Sequence, residues 1–285
     1  MFIHVGYDIT FALPAPTPMH LMLYTHPSRS SDLMQPEWIA TDPVVPITTF
    51  EDVFGNRVGR IVASAGNLRV YSSSVVRDSG AYDRYMPNAR QMDVSELPTD
   101  TLQFLMGSRY CETDRLTDLA WSLFGGTQPG WSRVQAVAEW VHNHIRFGYQ
   151  FARPTKTAYD VYCERQGVCR DFTHLTITLL RCLNIPARYT TGYLGDIGVP
   201  RDPAPMDFSA WVEVFLDGQW FTFDARHNVP RIGRIVMARG RDATDVAMTT
   251  SFGGAKLLSF TVITEEVSNP DVSFQSAGPV VAQAV

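Results

Sequence analysis

Along this 285-residue chain the spacing of apolar positions changes character once, near Pro98. Before it, short apolar-rich runs are broken by turn residues. Phe2–Thr10 and His20–Thr25 flank the proline-laden stretch Ala12–Pro18, and Val44–Phe50, Arg57–Ala63 and Leu68–Val76 follow. Gly55-Asn56 and Gly66-Asn67 supply turn signals between them. Strands this short and this often punctuated predict an all-β sandwich over residues 1–97. No chemistry is visible there, so this part reads as structural or substrate-positioning.

After Pro98 the period becomes helical. Thr113–Phe124 and Ser132–Phe147 are predicted helices; in the second, Val134, Val137, Ala138, Val141 and Ile145 form one apolar stripe. Ser132 with Gln135, and Thr157 with Asp160, have capping-box spacing. The second pair opens a short helix that stops near Gly167. In Cys169–Leu183, Phe172, Thr176, Leu179, Leu180 and Leu183 share a face with Cys169, and Leu175, Ile177 and Thr178 widen it. A helix this apolar is central, packed on several sides, and Cys169 opens it. The remainder is strand: Ala187–Tyr193, Phe208–Leu216, Gln219–Asp224 and Leu257–Glu266, with a two-residue hairpin at Asp217-Gly218. The expected units are a β-sandwich at 1–97, an α+β core at 98–250, and a final strand with a loosely held Pro/Ser/Ala tail at 251–285.

Composition narrows the function classes. With 45% hydrophobic and 19% charged residues the chain can bury a core, and a net charge of −5 offers no basic field for nucleic acid or anionic lipid. No apolar run has the length of a membrane span and no leader precedes Met1, so the expected compartment is the cytoplasm. Cys111, Cys163, Cys169 and Cys182 are then free thiols. No CxxC pair or neighbouring His gives metal-ligand spacing, so neither a metal nor another cofactor is expected.

A cysteine at a helix N-terminus has a chemical use, because unpaired N–H groups and the helix dipole favour its thiolate. The hairpin adds an acid. With Leu216 paired to Gln219, Trp211 falls opposite Asp224, and Ser209 becomes its diagonal neighbour on the same sheet face at roughly 7–8 Å.

Four motifs stand in order: Gly167-Val168-Cys169-Arg170-Asp171-Phe172; Ile185-Pro186-Ala187-Arg188-Tyr189 with Gly192-Tyr193; Ala210-Trp211-Val212-Glu213-Val214; and Phe223-Asp224-Ala225-Arg226-His227-Asn228. Over about residues 98–250 the chain resembles the bacterial transglutaminase-like proteins, with a papain-like core preceded by a β domain. The resemblance implies a Cys–His–Asp triad that attacks amide carbonyls through a thioester, with a peptide or protein amide as partner. Carried over, the nucleophile is Cys169 and the acid Asp224, while the position of the histidine holds Ser209, which is no base near neutral pH. His227 is the candidate substitute. Strict pleating puts it on the opposite face from Asp224, so it needs a bulge or turn to act as base; otherwise it pins the loop. Tyr149 is a candidate oxyanion donor, and Trp211 a candidate groove wall or a packing residue. Arg226 is placed to pair with Asp224, and Arg153, Lys156 and Arg170 read as solvated charges. His174 reads as packed. Two functions follow: a cysteine hydrolase or acyltransferase, or a non-catalytic relative that binds peptides or assembles with partners.

Overall fold

The computed structural model describes residues 1–270; the tail segment 271–285 lies outside them. The β-rich part contains β1 (Phe2–Leu13), β2 (Thr17–Leu21), β3 (Ala40–Asp42), β4 (Thr48–Glu51), β5 (Arg57–Ala63) and β6 (Gly66–Arg77). Then come α1 (Thr113–Phe124), α2 (Trp131–His144), β7 (Arg146–Phe147), α3 (Ala158–Glu164), β8 (Gln166–Gly167) and α4 (Cys169–Cys182). The chain continues through β9 (Ala187–Leu194), β10 (Ser209–Leu216), β11 (Gln219–Phe223), β12 (Arg234–Gly240), β13 (Thr249–Ser251) and β14 (Lys256–Val267).

Two antiparallel sheets, ordered β14-β1-β6-β3 and β13-β2-β5-β4, share an apolar core that includes Ile3, Val5, Ile9, Met19, Ile61 and Val70. Tyr193, Phe208, Ile235 and Met237 from the second half of the chain complete that core. β1 pairs with β14 from Phe2↔Val267 onward, so the first and last strands lie side by side.

The third sheet, β11-β10-β9-β12, carries α4 on one face. Ala210, Val212, Val214 and Leu216 of β10 meet Phe172, Leu175, Leu179 and Leu180 of α4, while α1 and α2 add Leu116, Val134, Val137 and Val141. Burying one such side chain stabilises the fold by roughly 1.5–3 kcal/mol, so this face fixes the depth of α4. The predicted hairpin register holds: Leu216 pairs with Gln219 across Asp217 and Gly218, both at positive φ (48 and 77).

Two local expectations change. α2 begins at Trp131, with Gly130 (φ 100) as N-cap and no side-chain cap, so Ser132 and Gln135 form no capping box. The Trp131 N–H instead reaches the Ala89 carbonyl at 3.0 Å. α2 also stops at His144, where the chain turns extended to pair β7 with β8. The Thr157–Asp160 box forms as expected. Lys156 is buried rather than solvated: its ammonium donates to the Phe151 and Gln166 carbonyls and pairs with Glu164. Among the described residues no helix is long and apolar enough to cross a membrane.

Candidate active site

Cys169 is the first residue of α4, and the Asp171 carboxylate reaches back to the Val168 N–H at 2.9 Å, which holds the entry to the helix. The Cys169 N–H belongs to the first turn, whose donors have no acceptor within the helix. The Ala210 and Arg170 backbone N–H groups point at the sulfur, and Arg226 also favours the thiolate. Burial outweighs them and, with Asp207, pushes the thiol up to about 11. The expected thiolate is therefore absent at rest: partial burial behind β10 costs more than the helix terminus returns.

Asp224 follows directly after β11, where the chain leaves the sheet in a turn. Its Oδ1 accepts the Arg226 and His227 N–H groups at 3.1 and 3.2 Å, and its carbonyl accepts the Asn228 N–H at 2.7 Å. That turn cancels strict alternation and brings His227 back, its Nδ1 2.9 Å from the Asp224 Oδ2. Nδ1 donates to the carboxylate, so Nε2 keeps its lone pair. Arg234 donates to the same oxygen at 3.0 Å. Burial alone would raise the Asp224 carboxyl, but Arg234 and His227 hold it well below the usual carboxylate range. Arg226, expected on Asp224, instead lays its guanidinium over the Phe147 ring, 3.9 Å from the centroid.

Tyr149, Ser209, Arg226 and His227 line a cavity of about 970 Å³ between the 194–207 loop and β14. Tyr149 stays a phenol, raised by burial against the pull of Arg226, and lies within electrostatic reach of Cys169. Ser209 is buried, and its carbonyl accepts the Thr191 hydroxyl at 3.0 Å. Trp211, only 1% exposed, lies under the Arg234 guanidinium and borders a separate cavity of about 280 Å³, not the larger one.

Two residues with a part in this geometry carried no pattern in the sequence. His142 donates Nδ1–H to the Ala225 carbonyl at 2.9 Å, clamping the Asp224–His227 turn from α2. Asp207 lines the cavity two residues before Ser209. Neither sits in a motif; only the packing of α2 and of the loop against β10 brings them in. His174 is packed as expected, stacked on Tyr110 and accepting the Ala243 N–H at 3.1 Å. Among the described residues no group of three His, Cys, Asp or Glu side chains could hold a metal ion.

The model of the transglutaminase-like superfamily matches residues 117–225. The crystal structure of "a Putative Cysteine Protease" from Cytophaga hutchinsonii is 30% identical, with a TM-score of 0.81 over 97% of this chain and 94% of that one. An uncharacterized protein of Mycobacterium leprae is 31% identical over 121 residues, 40% of this chain and 42% of that protein. An uncharacterized Mycobacterium tuberculosis protein is 33% identical over 96 residues, 31% of its length. The chain thus matches less than half of either mycobacterial protein.

Proposed function

Since the chain belongs to the transglutaminase-like superfamily, we propose that it is a cysteine hydrolase or acyltransferase acting on peptide or protein amides, with Cys169 as nucleophile. The observation that carries this reading is the His227–Asp224 contact, placed in the wall against which Cys169 lies. It restores an oriented imidazole to a site whose usual histidine position holds Ser209.

In the first half-reaction the Cys169 sulfur attacks the amide carbonyl carbon and its proton passes to His227 Nε2. The developing oxyanion is met by the Cys169 N–H, with the Tyr149 hydroxyl as a second donor. The imidazolium then gives its proton to the departing amine, leaving a thioester that an acceptor resolves. A resting thiol at about 11 means that the proton leaves only as substrate engages. The test is acylation of Cys169 by p-nitrophenyl acetate, followed by intact mass. The wild type gains one acetyl group, Cys169→Ala none, and His227→Ala acquires it about 10²–10⁴-fold more slowly.

Ser209 and the protonated thiol favour a second reading, a peptide-binding or assembly module built on the same fold. Peptide capture by wild type and Cys169→Ala alike, with no acetyl on Cys169, would select it.

A further inference from the structure

Asp207 stands where the 194–207 loop runs into β10. The wall of the large cavity contains Tyr149, Asp207, Ser209, Arg226 and His227, and Cys169 meets that wall from the α4 side. Asp207 acts electrostatically on both the Cys169 sulfur and the Tyr149 hydroxyl, and Arg226 on all three. Anything that approaches a thioester on Cys169 from the cavity therefore passes the Asp207 carboxylate.

We propose that Asp207 is the proton relay of the second half-reaction, taking the proton of the incoming acyl acceptor and passing it to the departing Cys169 sulfur. The proposal rests on the acyl-transfer reading above. The acceptor, water or a neutral amine, forms its bond to the thioester carbonyl carbon as its O–H or N–H proton moves to Asp207. The C–S bond then breaks with its electron pair on sulfur, and Asp207 returns that proton to give the resting thiol. No other reactant is needed, and His227 ends as it began.

Acidities agree with this direction of transfer. Burial raises the Asp207 carboxyl to about 6, against the Phe208 N–H and Arg226, so it is mostly ionised at neutral pH yet more basic than an ordinary carboxylate. The thiol, pushed up to about 11, lies well above it, and the return step runs downhill. The charged and titratable groups that face Asp207 are Cys169 from α4, Tyr149 from the segment after β7, and Arg226 and His227 from the turn after β11. Across the cavity stand Glu265 and Glu266 of β14, with Arg201 and Asp202 on its own loop.

The experiment separates the half-reactions. Protein acetylated by p-nitrophenyl acetate is freed of reagent, and loss of acetyl from Cys169 is followed by intact mass across pH. Asp207→Asn should acetylate at or above the wild-type rate, since a charge opposing the thiolate is gone, but deacetylate about 10²–10⁴-fold more slowly. Wild-type deacetylation should rise through pH of about 6, a limb that Asp207→Asn lacks and Asp207→Glu keeps. A purely structural role would slow both halves together and leave the limb in place. Wild-type deacetylation by Asp207→Asn overturns the proposal, and so does a limb that survives there but vanishes in His227→Ala. Absence of acetyl on wild-type Cys169 sinks the nucleophile reading itself.

Discussion

His227 and Asp224 lie three residues apart and meet side chain to side chain, Nδ1 to Oδ2, at 2.9 Å. The same carboxylate takes the Arg234 guanidinium, which also grips Asp83 at 3.0 Å, in the segment that follows β6. Asp224 thus serves the site and ties the two halves of the chain together.

Asp224→Asn should cost the fold toward the lower end of about 3–5 kcal/mol, because Arg234 keeps Asp83 but loses a buried partner. The folded carboxyl lies below its usual range. Its contribution is therefore complete above the unfolded value of about 3.9 and lost only as pH falls through the depressed folded one. Urea midpoints should show a gap between wild type and variant that is constant at neutral pH and narrows only in strong acid. A gap that closes between pH 6 and 8 would assign it to another group.

Thiol labelling should run against the order that helix position suggests. Cys163 is exposed, so iodoacetamide should reach it first at neutral pH. Cys169 should gain reactivity only as pH climbs toward about 11, and Arg226→Gln should delay it further. Peptide-resolved mass spectrometry gives both rates. Rapid neutral labelling of Cys169 would mean that its burial is broken in solution.

Ser209→His should return an imidazole to the position beside Ala210. The side chain faces the large cavity, which has room for it. The alkylation midpoint of Cys169 should fall by about 1–3 pH units, and ester turnover should rise by about 10²–10⁴-fold. Unchanged values for both would show that position 209 does not address the sulfur.

Periodicity made α4 and the β10–β11 hairpin legible, because long apolar patterns and a strong turn signal leave few alternatives. Cys169, Asp224 and Ser209 followed from motif and register. The position of His227 did not, because it depends on a turn in which one carboxylate collects two backbone N–H groups, a cooperative choice that pleating rules ignore. His142 and Asp207 were silent for a different reason: each reaches the site through tertiary packing, with no sequence neighbour in it. The sign of the Cys169 shift also needed coordinates, since desolvation is decided by what covers the sulfur.

Gly192 should tolerate no side chain. It pairs with Ser209, and a Cβ there would meet the Ile235 carbonyl oxygen at 2.1 Å. Gly192→Ala should push β12 from β9, at a cost of about 1–3 kcal/mol or more. Because β12 carries Arg234, the displacement should also loosen Asp224 and slow Cys169 acetylation. Thermal melts together with that rate test the linkage; a destabilised variant with an unchanged rate would separate sheet from site.

The pairing of β1 with β14 sets a schedule for biosynthesis. A ribosome releases β1 long before β14 exists, so for most of translation one edge of β1 presents unpaired backbone groups. The same late strand forms one wall of the cavity. A nascent chain stalled before Lys256 would therefore lack both the partner of its first strand and a finished cleft, and so would carry no competent thiol chemistry into a crowded, peptide-rich surrounding.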